Sequence, residues 1–363
     1  MKLPKKKYIV LGSIALVLLL AALVCFLLGG SAGRRLQNQR QAERWAGESK
    51  ERFTQFSAFF SETAGLQLND LGALRQKLTE KLTAASIEAP AGGRLFCDAW
   101  SASGSAKVTG QRGSFDADII AVGGSFFDFH PQELCSGGFL AEGDLMKDRV
   151  VLDAQLAWLL YGSTDLAGLI VSIGEQEFII AGVVALDESR AAEKVSTGAP
   201  QLYLPYETWL AMNEGAAADC YEIVLPDPAK DFAKALLNEC LPEEGCLLRQ
   251  NTGRFAFSES LGALKGFSTR AVRTEAVAFP AWENAALWQE TRCTLLYVLA
   301  LVLLLFPAVL ACILLVRLLL LAKRKLRGSG KAVREKALDK IDARRAQRMR
   351  LRSSGGSHLK GKG

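Results

Sequence analysis

The chain has 363 residues, half of them hydrophobic, and a formal net charge of +6. A soluble protein of this length is usually less apolar, so the composition directs attention first to membrane-spanning segments. The charge is unevenly placed. Residues 323–363 carry a net +12 and residues 1–7 carry +4, which leaves −10 for everything between them.

Two segments are long and apolar enough to cross a bilayer, which takes about 20 residues. Residues 8–30 contain no charged side chain, and residues 293–322 contain only Arg317. The first segment has an alternative reading as a signal peptide cleaved near residues 31–33. Its apolar core is longer than the roughly 7–15 residues of a signal sequence, which favours an uncleaved anchor.

The flanking charges set the orientation, because loops rich in Lys and Arg stay in the cytoplasm. Residues 1–7 and 323–363 are therefore predicted to be cytoplasmic, with residues 31–292 outside a cell (plasma) membrane that the chain crosses twice. Trp282 and Trp288 precede the second span and are predicted to lie in the headgroup belt. Arg317 is near the cytoplasmic end and is predicted to snorkel to the headgroups.

The basic tail permits two interpretations. Runs of Lys and Arg can bind nucleic acid. Directly after a transmembrane helix, such a run is more typical of contact with anionic lipid. We therefore expect residues 323–363 to contact lipid and no nucleic acid.

The region outside the membrane begins with two predicted helices. Aromatic residues among charged ones, including Trp45, Phe53 and Phe56, predict a helix that continues from Arg34 to about Thr63. A second helix is predicted from a cap at Asn69 or Asp70 to about Ser86. Its inward face would carry four leucines, at positions 71, 74, 78 and 82.

After Pro90 the pattern changes to short strands separated by Gly and Ser, with a few short helices. Strands are predicted at 94–100, 106–109, 114–122, 150–153, 169–173, 177–184 and 200–205. Helices are predicted at 154–161 and 206–212. A strand–helix–strand unit follows, with strands at 221–225 and 246–249 and a helix between them that Asp227 caps. The sequence thus predicts an α+β domain with an inserted β-rich lobe at about 100–210.

Catalytic and metal-binding patterns are lacking in the sequence. The eight cysteines form neither a CxxC pair nor a zinc pattern. Cys240 and Cys246 could bridge across a short loop, and reduced thiols are an equal alternative. His130 precedes Pro131 and is interpreted as a solvated loop residue. The glycines near Lys331 do not complete a phosphate-binding loop. We expect no enzyme activity, no metal and no cofactor.

Three segments resemble the periplasmic core domain of MacB-type ABC transporter permeases. They are residues 122–127 with 136–140, residues 150–184, and residues 201–208, which read VGGSFF, SGGFL, VVLDAQLAWLLYGSTDLAGLIVSIGEQEFIIAGVV and QLYLPYET. The likeness covers about 115–210 and extends more weakly over 30–290. It implies a split βαβ lobe with an inserted β-rich lobe.

The sequence departs from this family in two ways. Ala167 stands where the family favours proline. A single span follows the outer domain, where the family's FtsX-like part has three, so that part is incomplete. The resemblance implies a permease-like subunit of an ABC transport or mechanotransmission complex, whose outer domain binds a substrate or partner. A separate ABC ATPase and another membrane subunit or a second copy are the implied partners. The alternative is a membrane-anchored scaffold that displays a protein-binding domain.

Overall fold

The computed structural model describes residues 5–89, 93–187, 189–262, 264 and 279–355. The chain divides into two units, one formed by residues 24–299 and the other by the described parts of residues 1–23 and 300–363. Two helices are long and apolar enough to span a membrane, at Ile9–Ser31 and within Ala281–Arg324. The α+β fold class with two such helices is confirmed.

The helices and strands of the described residues are as follows. The helices are α1 (Lys5–Ala32), α2 (Gln41–Ala46), α3 (Leu68–Ala84), α4 (Phe126–Phe129), α5 (Ala154–Leu160), α6 (Arg190–Val195), α7 (Tyr206–Met212), α8 (Phe232–Cys240), α9 (Phe257–Gly262) and α10 (Ala281–Gly355). The strands are β1 (Phe53–Phe60), β2 (Cys97–Gly110), β3 (Gly113–Gly124), β4 (Leu134–Gly137), β5 (Arg149–Asp153), β6 (Ile170–Ile173), β7 (Gln176–Val184), β8 (Gln201–Pro205), β9 (Cys220–Pro226) and β10 (Cys246–Gln250).

The strands form one sheet in the order β10-β1-β9-β2-β3-β8-β5-β7-β4, with β6 paired to β2 and β7. Strand β9 is antiparallel to both β1 and β2, so it separates the two strands that α3 connects. Helix α8 connects β9 to β10, and strand β1 lies between these two strands. These two interleaved units confirm the predicted split βαβ arrangement. The lobe boundary at about 100–210 stays a prediction, because β2 and β3 continue the same sheet.

Each face of the sheet has its own covering layer. Side chains alternate along β9, so Tyr221 and Ile223 belong to the core under α3, α5, α7 and α8, whereas Val224 belongs to the opposite core. The opposite core lies under α2, α4 and the start of α10, which contribute Ala42, Phe126 and Trp282. The segments that lead to the membrane helices therefore cover one face of the sheet.

The long helix predicted from Arg34 to Thr63 is wrong. The chain makes two 3₁₀ turns and the short helix α2, and residues 53–60 form strand β1. Seven consecutive residues of β1, from Thr54 to Phe60, are buried. A strand that is buried on both faces lacks the alternation of polar and apolar residues that identifies an ordinary strand. The spacing of the aromatic residues in β1 was therefore also compatible with a helix.

Three further local predictions differ from the structure. One strand, β2, replaces the two predicted at 94–100 and 106–109. Helix α3 is capped by Gln67, whose backbone N–H donates to the side-chain carboxylate of Asp70. Helix α8 begins at Phe232, five residues beyond Asp227, although the Asp227 carboxylate still accepts the N–H of Ala233 at 3.2 Å.

In the unit made by the membrane helices, small residues are the buried ones. Ala15 and Ala22 of α1 and Ala300 and Pro307 of α10 are buried. Most large apolar side chains of both helices are exposed, among them Val17, with 64% of its surface accessible. Small residues permit close helix packing and exposed apolar ones suit lipid. These features are those of a membrane protein.

Candidate functional site at the membrane junction

Both segments that connect the sheet to the membrane helices lie on the same face of the sheet. We define the junction as residues 26–46, 251–257 and 279–297, all within the 24–299 unit. After α1, the chain is fixed by Gln55 of β1, whose Oε1 accepts the N–H of Gln41 at 2.8 Å. The Gln55 amide also donates to the carbonyl of Asn38 at 2.7 Å. Polar contacts thus position the first connecting segment.

A buried series of side-chain hydrogen bonds runs across neighbouring strands of the sheet beneath the junction. His130, at the end of α4, contacts Glu222 of β9 through Nε2, and both residues are buried. Ser57 of β1 donates to the other Glu222 oxygen at 2.9 Å, and Asn251 donates to Ser57 at 2.7 Å. His130 is therefore not the solvated loop residue predicted from sequence, because the sheet supplies a carboxylate partner 92 residues away.

Aromatic rings enclose His130, which ends this series of hydrogen bonds. The His130 ring stacks on Phe126 with 4.5 Å between the ring centroids, and its centroid is 4.6 Å from that of the Trp282 ring. Phe126 and Trp282 also meet edge to face at 5.8 Å. Trp282 belongs to the first turn of α10, so this aromatic contact joins the start of the membrane helix to the short helix α4.

Arg254 makes the strongest polar contact of the junction. Its guanidinium donates to both oxygens of Glu283, at 2.9 and 2.8 Å, and to Glu290 at 3.2 and 3.1 Å. All three residues are buried, with 6% or less of each side chain exposed. Burial lowers the pKa of Arg254, but the two carboxylates outweigh it and raise the pKa above its ordinary value.

The sequence explains why two carboxylates of α10 can bind the same Arg254 guanidinium. Glu283 and Glu290 are seven residues apart, which places both carboxylates on one face of the helix, two turns from each other. A bidentate pair with Glu283 fixes the guanidinium plane, and Glu290 accepts from Nε and Nη2. The segment after β10 is thereby fastened to the first three turns of α10.

A second group of contacts brings α1 and α10 together beside the same segment. The ring of Tyr297 lies so close to Gly29 that a Cβ on the glycine would be 2.8 Å from it. The Tyr297 hydroxyl donates to the carbonyl of Phe255 at 3.3 Å. The rings of Phe26, Phe257 and Tyr297 lie 5.3 to 5.7 Å from one another. The two helices and the Arg254 segment therefore meet at one place.

The predicted membrane anchors fall at different places in the fold. Trp282 packs against the core beneath α4, as described above. Trp288 lies beside Leu36 and Ala286 in a small cluster, and the guanidinium of Arg292 is 5.7 Å from its ring. Arg317 is exposed on α10. Their assignment as interface anchors stays a prediction.

Sequence reasoning missed Arg254, Glu283 and Glu290 of the junction, and Glu222 and Ser57 in the sheet beneath it. The spacing of Glu283 and Glu290 was a usable signal, because two carboxylates on one helix face call for a common cation. The sequence did not indicate that Arg254 is that cation. Among the described residues, no cluster of His, Cys, Asp or Glu could hold a metal ion.

Comparisons with known proteins return solved structures only. No protein-family model matches the sequence, and no curated protein matches it. The periplasmic region of MacB from Actinobacillus actinomycetemcomitans matches with a TM-score of 0.41 and 18% identity, over 55% of this chain and 89% of that one. The extracellular domain of the noncanonic ABC-type transporter YknZ from Gram-positive bacteria matches with a TM-score of 0.37 and 16% identity, over 54% and 99%.

A third solved structure is a domain of a putative permease protein from Porphyromonas gingivalis. It matches with a TM-score of 0.32 and 16% identity, over 55% of this chain and 89% of that one. Each of the three matches covers about half of this chain and most of the other protein.

Proposed function

We propose that this protein is a permease-like membrane subunit of an ABC transport or mechanotransmission complex. In this proposal α1 and α10 cross the plasma membrane, both termini are cytoplasmic, and the domain of residues 31–292 lies outside and binds a substrate or partner. Movement of a cytoplasmic ATPase reaches that domain through the helices.

The observation that carries the proposal is the buried Arg254–Glu283–Glu290 cluster. Removing one partner from a buried ion pair costs about 3–5 kcal/mol, because the remaining charge stays buried and unpaired. Separating α10 from the segment after β10 would carry a similar penalty. A displacement of the start of α10 is therefore expected to move the sheet with it. Such a connection suits a force-transmitting subunit better than a passive anchor.

The remaining parts of the proposal concern the partners. We propose that a separate ABC ATPase and another membrane subunit, or a second copy of this chain, complete the complex. The tail after residue 322 carries a net +12 and is proposed to contact anionic lipid on the cytoplasmic side.

Affinity purification of the full chain from mild detergent or nanodiscs tests the proposal. The expected result is recovery of an ATP-binding cassette protein in stoichiometric amount. In that complex, ATP with Mg²⁺ should change the hydrogen exchange of residues 251–257 and 281–290. Two results would contradict the proposal and favour the scaffold alternative: recovery of no ATPase, or hydrogen exchange in these residues that does not change when ATP is added.

A further inference from the structure

The short helix α9 packs against both of the long apolar helices. The centroid of the Phe257 ring is 5.4 Å from that of Phe26 in α1 and 5.3 Å from that of Tyr297 in α10. All three residues belong to the unit of residues 24–299. Helix α9 therefore extends the junction along the surfaces of α1 and α10.

The residues that α9 contacts lie inside the apolar spans. Tyr297 comes five residues after Arg292, which is about 8 Å along α10 at 1.5 Å per residue. Phe26 comes six residues before the end of α1, or about 9 Å along that helix. A hydrocarbon layer takes about 20 residues, and residues 293–316 are 24 residues without a charged side chain. Phe26 and Tyr297 therefore lie at the edge of that layer.

The large apolar side chains of this segment are incompletely covered by protein. Phe257 has 38% of its surface exposed, and Leu264, two residues after α9, has 42% exposed. On the same stretch of α10, Leu295 and Leu299 are 58% and 48% exposed. The exposed apolar surface of α9 thus lies at the level of an exposed apolar surface of α10, and both suit lipid.

Hydroxyl groups of α10 hydrogen-bond the backbone of the same segment. The Thr294 hydroxyl is 2.9 Å from the carbonyl of Glu290 and 3.2 Å from that of Ser260, and it donates to both. The Tyr297 hydroxyl donates to the carbonyl of Phe255 at 3.3 Å. Lipid offers no water to a backbone carbonyl, so carbonyls near a helix end at that depth need partners from the protein. These bonds provide such partners.

We infer that α9 is an interfacial helix, which lies at the boundary between lipid headgroups and acyl chains beside the junction. Phe257 and Leu264 enter the acyl region, and the exposed Glu259 stays among the headgroups. The partner is the bilayer, because α9 lies directly against two helices that need lipid around them. The inference rests on the proposed crossing of the membrane by α1 and α10. The contact holds the Arg254 segment at a fixed depth relative to the bilayer surface.

Site-directed spin labelling of the full chain in nanodiscs tests the inference. The two exposed cysteines are first replaced by Cys135→Ser and Cys312→Ala, and this background without a reporter is the blank. Leu264→Cys and Phe257→Cys then carry a nitroxide, one at a time. Oxygen concentrates in lipid and a neutral nickel chelate concentrates in water. The collision rates of the nitroxide with the two reagents therefore identify its surroundings.

Two further reporters calibrate the measurement. Glu259→Cys is the matched control on the same helix, and Leu299→Cys on α10 is the lipid reference. The ratio of oxygen to nickel collisions at positions 264 and 257 should be at least about threefold above the ratio at position 259, as a boundary location requires. It should stay below the ratio at position 299, which lies deeper.

Three results would overturn the inference, and they separate it from the proposed function. A water-like ratio at both α9 reporters, with a lipid-like ratio at position 299, excludes the lipid contact and leaves the membrane crossing intact. Few collisions with either reagent would mean that protein, such as a second copy of this chain, covers the surface. A water-like ratio at position 299 would show that α10 is outside the lipid, which contradicts the proposed function as well.

Discussion

Arg254 is the residue whose environment explains most about the junction. The protein buries a guanidinium between Glu283 and Glu290, an arrangement that is stabilising only when every member is present. The three charged groups are paired only in this geometry, so we expect the cluster to favour this position of α10 against the sheet.

Replacing Arg254 by Gln should destabilise the fold. Glu283 and Glu290 would remain buried without their cation, and the free energy of unfolding should fall by about 3–5 kcal/mol. Chemical unfolding of the full chain in nanodiscs, followed by tryptophan fluorescence, measures it. The matched control is Lys81→Gln, which removes the exposed pair with Glu239 and should leave the unfolding midpoint unchanged. A loss below about 1 kcal/mol for Arg254→Gln would contradict the assignment.

The cysteines between the two membrane helices should differ sharply in reactivity. Burial raises the pKa of Cys97 and of Cys246 to about 11, so at pH 7.5 their thiols stay protonated and unreactive. Cys135 is exposed. N-ethylmaleimide should therefore modify Cys135 first in the folded chain, and mass spectrometry of peptides should find Cys97 and Cys246 modified only after denaturation. Early modification of Cys97 would show that its surroundings are open to solvent.

His130 marks the limit of sequence reasoning at this scale. A histidine before a proline has the local pattern of a loop, and two of the residues that contact its ring come from distant parts of the chain. Glu222 lies on β9, and Trp282 lies at the start of α10. Nothing local in the sequence encodes these two contacts, because they arise only once the sheet order is fixed.

At the scale of elements, prediction succeeded where a segment had one buried face. The leucines of α3 and the alternation of the β6–β7 hairpin reflect this, and both elements occur near the expected bounds. Prediction failed at β1, whose residues are buried on both faces between β9 and β10. The interleaved order of these strands is a tertiary fact that periodicity does not contain.

The contact between α1 and α10 provides a prediction at this scale. Gly29→Leu would place a side chain against the ring of Tyr297, which forces the two helices apart and should cost about 1–3 kcal/mol. Gly12→Leu adds the same side chain to α1 where a Cβ meets nothing within 4 Å. Thermal unfolding in nanodiscs should show a lower midpoint for Gly29→Leu and an unchanged one for Gly12→Leu. Equal midpoints would mean that the Tyr297 contact is dispensable.

At the scale of the whole molecule, charge and hydropathy were the most informative features of the sequence. They predicted both apolar helices, and the structure contains both. The resemblance of three segments directed attention to the permease class. The junction was not predictable, since it is assembled from residues far apart in the chain.

The membrane topology is the central claim of the proposal, because the helices carry force across the membrane only if the sheet and the ATPase lie on opposite sides of it. Labelling of right-side-out membrane vesicles with an impermeant maleimide tests it most directly. Cys135 should be labelled from outside, and Cys135→Ser should remove that signal. On the Cys135→Ser background, a reporter made by Ser353→Cys in the basic tail should be labelled only after permeabilisation. Labelling of the tail reporter in sealed vesicles, with Cys135 protected, would contradict the account.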